Sequence, residues 1–156
     1  MTGYEKLLDT AQKDNVTVIE GYAFDSEKFK GLYSDGVIAL DKRITTETEK
    51  KCILAEELGH HYTSHGNIID MEDASNRKQE YRARVWAYRD AFDLVDLVSA
   101  YKYGCKSRYE IAEYLDITEN FLADALDHYK AQYGLFTKVD KYLVYFDPLG
   151  VLEVNM

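Results

Sequence analysis

Cys52-Ile53-Leu54-Ala55-Glu56-Glu57-Leu58-Gly59-His60-His61-Tyr62 is the stretch whose reading decides the fold. Within it, Glu56-Glu57-Leu58-Gly59-His60 is the metal-site pattern His-Glu-x-x-His with glutamate in place of the first histidine. The pattern works through helix geometry: side chains four apart lie on one face, so positions 56 and 60 can hold one ion while position 57 reaches a water bound to it. At roughly 100° per residue, with Glu56 at zero, His60 falls at about 40°, Ile53 at about 60° and Glu57 at about 100°. Leu54, Leu58 and Tyr62 fall between about 160° and about 240°, which makes them the expected buried back of the helix. Ala55 and Gly59, at about 260° to about 300°, leave a strip almost without side chains. A second helix can close on that strip.

A catalytic zinc takes three protein ligands and leaves one position to water, so a further ligand must come from elsewhere in the chain. Glu80 is the candidate, because Ala83 and Ala87 follow it on the same helical face and make that face small as well. If the two small strips pack, Glu80 arrives beside Glu56 and His60. That set holds one nitrogen and two carboxylates, and it accepts Mn or Fe as well as Zn. Two anionic ligands also neutralise the cation, leaving its bound water less acidic than at a two-histidine site and hydrolysis slower. Glu57 is the expected general base. Two neighbouring histidines are additional candidates. His61 lies at about 140° and joins only if the helix distorts. His65, beyond the expected helix end, can swing back to bind metal or to stabilise an oxyanion. His128 reads as a surface or core histidine, and Cys52 as either an outer ligand or a small buried hydrophobe.

Ala55-Glu56-Glu57-Leu58-Gly59-His60, followed by Glu80-x-x-Ala83-x-x-Trp86-Ala87, resembles the ImmA/IrrE family of metallopeptidases of prophages, integrative elements and stress-response loci. The resemblance covers roughly residues 15 to 100 well and the C-terminal part loosely. It implies a zinc-dependent endopeptidase that cleaves a partner protein, commonly a helix-turn-helix transcriptional repressor. Position by position, it makes His60 the second metal-binding histidine, Glu57 the general base and Glu80 the downstream carboxylate ligand. Glu56 stands where the family has its first histidine. A non-cleaving antirepressor on the same scaffold is the alternative.

Composition narrows the field. A chain of 156 residues with 46% hydrophobic content suits one domain with a substantial core, and 14 tyrosines suggest many half-buried rings. The net charge of −9 argues against nucleic acid and is compatible with steering a basic protein partner. No apolar run reaches the length of about 20 residues needed to span a membrane, and the N-terminus has no signal-peptide pattern. A cytoplasmic location is therefore expected, with Cys52 and Cys105 as reduced thiols.

Around the motif, the chain reads as an α+β fold. Residues 3–13 form an amphipathic helix with Leu7, Leu8 and Ala11 inward. Val16 to Tyr22 is a strand, and Gly31 to Leu40 is a hairpin turning at Asp35-Gly36, so a small antiparallel sheet is expected to pack on the metal-bearing helix. Thr45 and Thr46 open that helix, and Gly66-Asn67 should end it. One long helix is expected from about Asn76 to Tyr101. Its cations Arg77, Lys78, Arg82, Arg84 and Arg89 are either a solvated face or include one that fixes a ligand carboxylate. A helix-turn-helix-like pair follows, opened by Ser107 and Thr118, but 107 to 133 carries six carboxylates and two bases, which argues against a DNA-binding surface and for a docking or packing element. A terminal strand pair around Asp147 to Gly150 closes the chain. The expected organisation is a single domain, 1–156, with sheet and motif helix in 1–70, the long helix in 71–106 and the helical pair and strands in 107–156.

Overall fold

The computed structural model describes residues 1–63 and 73–154, and contacts gather into two compact units, Met1–Ala87 and Tyr88–Met156. In the first, helix α1 (Gly3–Lys13) starts at a reciprocal capping box between Thr2 and Glu5 and buries Tyr4, Leu7 and Ala11. Strands β1 (Thr17–Tyr22), β2 (Gly31–Ser34) and β3 (Val37–Asp41) form one sheet in the order β1-β3-β2. Asp35 and Gly36 both adopt positive φ, 45° and 78°, the geometry a two-residue hairpin needs. The hairpin is antiparallel as expected, but β1 runs parallel to β3, with Val18 opposite Ile38. The sheet is therefore mixed, because β1 joins the far side of the hairpin's second strand after a crossover through residues 23–30 rather than a tight turn. Strand patterns reveal which segments are extended and say nothing of which neighbour each will choose.

That crossover is tied down from within. Arg43 donates to both carboxylate oxygens of Asp41 and to the carbonyls of Ser26 and Phe29, so one guanidinium anchors the loop to the end of β3. Helix α2 (Glu47–Thr63) packs on α1, β2 and β3. Thr46 caps it by accepting from the Glu49 amide at 3.1 Å. Leu54 and Leu58 are fully buried, as are Ile38 and Leu40 of β3. The expected helix end at Gly66-Asn67 lies outside the described residues.

Helix α3 (Asp73–Ala91) does not continue to Tyr101. It stops, and α4 (Leu94–Tyr103) begins afresh because the Asp93 side chain takes the Asp96 amide while Asp96 takes that of Asp93. An acid able to cap its own successor outcompetes the apolar periodicity that runs through it. In the second unit, α4 is followed by α5 (Arg108–Leu115), capped by Ser107, and α6 (Glu119–Tyr133), capped by Thr118. The terminal strand pair is in fact a trio, β4 (Phe136–Val139), β5 (Tyr142–Phe146) and β6 (Leu149–Glu153), antiparallel throughout. β4 is only four residues long and starts just after the glycine ending α6, too short to show alternation. Phe92, Leu97, Leu122, Leu126, Val144 and Phe146 form this unit's core, and the Tyr129 hydroxyl donates to the Phe92 carbonyl at 2.6 Å. Among the described residues, no helix is long and apolar enough to cross a membrane.

Candidate functional site

The site grows from the contact between α2 and α3. Ala55, Gly59, Ala83 and Ala87 are all buried. A Cβ placed on Gly59 would lie 2.8 Å from the Ala83 carbonyl carbon and 2.9 Å from its Cα, so the two backbones meet where no side chain fits between them. The small strips thus dock as their spacing predicts. One turn toward the N-terminus of α3, Glu80 comes to His60, with Oε2 at 3.3 Å from Nε2. Tyr62 departs from its expected burial, being 37% exposed. Its ring stacks on Trp86 at 4.9 Å between centroids, and its hydroxyl donates to Asp14 at the end of α1.

Glu57 lies on the other side of His60, with Oε1 at 4.0 Å from Nε2. Strand β2 passes directly against it: a Cβ on Gly31 would stand 3.1 Å from Glu57 Cγ, and 2.5 Å from Ile53 Cγ2. This enclosure leaves Glu57 8% exposed. Burial pushes its carboxyl up to about 7, with the charges of Glu56 and Glu80 adding to the rise and His60 opposing it. At His60, burial works against the imidazolium, but the Glu80 hydrogen bond and the carboxylates of Glu57, Glu80 and Glu56 together outweigh it and raise its pKa. Glu80 is lowered, first by its hydrogen bond with His60, then, against the cost of burial, by the His60 and Arg84 charges. Arg84 therefore acts on this carboxylate through its field, a role the basic run of α3 left open.

Nδ1 of His60 is buried without a hydrogen-bond partner among the described residues. A tetrahedral ion with bonds of about 2.1 Å holds its ligand atoms about 3.4 Å apart, so the His60–Glu80 separation suits two ligands of one cation. Glu56 is half-buried one turn before His60, and its charge acts on both His60 and Glu57. Among the described residues, no three His, Cys, Asp or Glu side chains converge into a ready cage. The fit to a metal is thus of two preset donors with a third on the same face.

The remaining candidates fall elsewhere. His61 Nδ1 is 2.8 Å from the Tyr33 hydroxyl, which also accepts from the Gly36 amide, so this histidine braces the β2–β3 hairpin. His65 lies outside the described residues. His128 belongs to the second unit, where it packs beside the Tyr88 and Tyr129 rings and is lowered by burial and then by the Arg89 charge. Cys52 and Cys105 are not joined in a disulfide. Sequence reading missed the strand beside Glu57. The one available signal was Gly31, a glycine opening a strand, where close approach of another backbone or helix is a usual reason.

A family model described as the IrrE N-terminal-like domain, a family of peptidases, matches residues 11–127. The match contains α2, α3 and every residue of the site just described, and leaves the terminal strands outside it. No curated protein and no solved structure matches the chain.

Proposed function

The chain belongs to the IrrE N-terminal-like domain family of peptidases, and on that premise we propose that it is a metal-dependent endopeptidase acting on a partner protein. The substrate class is that implied by the ImmA/IrrE resemblance, a helix-turn-helix transcriptional repressor of a phage or mobile element. The observation that carries the reading is the His60–Glu80 pair at 3.3 Å, held by the Gly59–Ala83 contact and flanked by buried Glu57. His60, Glu80 and Glu56 would hold the ion, Zn or, given the two carboxylates, Mn or Fe. When bound, it supplies a Lewis acid for the scissile carbonyl and a water of lowered pKa.

The chain's own residues do the rest. Glu57, enclosed by β2 and α2, takes the proton of the attacking water and returns it to the departing amine, for which a carboxyl poised near neutrality is suited. Arg84 keeps Glu80 ionised. The outer edge of β2, which has no strand partner among the described residues, offers an extended substrate segment hydrogen-bonding groups close to Glu57.

Elemental analysis of the tag-free protein tests the site. About one equivalent of metal per chain is expected in the wild type, with loss in His60→Ala and Glu80→Ala. A wild type without metal after incubation with Zn, Mn and Fe would overturn it. Co-expression with a neighbouring repressor, followed by mass spectrometry of the repressor with Glu57→Gln as control, tests the cleavage. One observation favours a second reading: with glutamate at 56 and no converging third donor among the described residues, the scaffold suits an antirepressor that binds without cutting. An intact repressor in stable complex with metal-loaded wild type would select it.

A further inference from the structure

The second unit contains a cleft of about 490 Å³ bordered by the start of α4, the end of α6 and β4. That volume lies within the range of about 300–1,000 Å³ typical of small organic ligands. Its walls are mixed, polar and apolar surface in about equal measure: Leu94, Val95 and Val139 contribute aliphatic surface, Tyr129 and Tyr133 contribute rings stacked on each other at 24°, and Gln132 with the charged side chains supplies the polar part. The Tyr129 hydroxyl is engaged with the Phe92 carbonyl, which fixes the ring as a wall.

Two cations and one acid border the cleft. Lys30, Arg43, Lys130 and Lys141 are each paired with a carboxylate. Arg89 and Lys138, which border the cleft, form no ion pair among the described residues. The one acid there, Asp93, accepts the Asp96 amide at 3.0 Å as the cap of α4. The charge of Arg89 reaches both Tyr129 and His128 of α6. Two cations against one acid already engaged as a helix cap give the cleft a local charge opposite in sign to the chain's net −9, which favours an anionic occupant. Tyr129, Tyr133, Lys138 and Val139 all lie beyond residue 127, so the cleft depends on sequence outside the family match.

We propose that this cleft is a second binding site, distinct from the α2–α3 site, for a small ligand with a flat apolar body and one anionic group, of the aromatic carboxylate class. The body lies against the Tyr129 and Tyr133 rings, and the anion is received by Arg89 and Lys138.

The test is calorimetric titration of the full chain with 1-naphthoate, beside neutral 1-naphthylmethanol and cationic 1-naphthylmethylammonium. Saturable one-to-one binding of the naphthoate is expected, with the neutral analogue weaker by about tenfold and the cation weaker still. Lys138→Gln should weaken the naphthoate several-fold. Val95→Trp, at an exposed position of the first turn of α4, should abolish binding by filling the mouth, and exposed Lys28→Gln should leave it unchanged. Both informative positions lie at the surface, and a thermal melt confirms that each variant is folded. No saturable binding up to about 10 mM, equal affinity for the three analogues, or affinity unchanged in Lys138→Gln and Val95→Trp would overturn the proposal. The readout is binding alone, so its failure would leave the peptidase reading intact.

Discussion

On the proposed reading, Glu57 concentrates the chemistry of the first unit in one side chain. A carboxyl 8% exposed and raised to about 7 is costly to keep ionised, and such a cost is retained at positions where reactivity matters. Glu57→Gln should lower repressor cleavage by about 10²-fold or more while metal content holds and the melting temperature does not fall. A variant that cleaves normally would remove Glu57 from the mechanism. Glu56→His tests the departure from the two-histidine pattern: zinc should then resist a competing chelator about tenfold better, and turnover should rise. Asp41 gives a third prediction, unconnected with catalysis. Hydrogen bonding from Arg43 lowers its carboxyl to about 2 from the usual 3.8. A depressed native pKa stabilises above the unfolded value and ceases to do so as pH falls, so its contribution is complete above 3.8 and disappears toward about 2. Asp41→Asn should flatten the acid limb of the stability curve in that window, measured by denaturant melts at stepped pH.

At the scale of elements, the junction of α2 and α3 is the critical one. Gly59→Ala would drive a methyl into the Ala83 carbonyl. The variant should lose about 1–3 kcal/mol in denaturant melts and release metal more readily, since Glu80 retreats with its helix. Much of this junction was legible in advance. Residues 55, 59, 83 and 87 form small strips at helical spacing, and only close backbone approach makes use of such strips. Glu80 could be found for the same reason. Less legible was anything depending on the choice of a neighbour: the parallel pairing of β1, the passage of β2 along Glu57, and the Tyr33 hydroxyl that takes His61. These are long-range pairings, and local periodicity does not encode them. The break between α3 and α4 was legible in principle, since Asp93 and Asp96 are spaced as a cap and its partner, but the apolar stripe of a longer helix concealed it.

For the molecule as a whole, charge and family membership are the governing facts. With a net charge of −9, association with a basic partner should be electrostatically assisted, and the association rate should fall about tenfold between about 50 and about 300 mM salt in stopped-flow mixing. A flat salt dependence would indicate docking through apolar surface. The family match ends at 127, within α6, and so divides the second unit between shared and particular sequence. One side chain of the first unit connects these scales. Tyr62 leaves α2 to stack on Trp86 of α3 and to donate to Asp14 at the close of α1, so three helices share a single phenol. Fraying of the chain's first helix must release that hydroxyl and loosen the ring, which makes amide-exchange protection near Trp86 dependent on residues at the N-terminus. Fusion tags and truncations placed there reach the helix that carries Glu80.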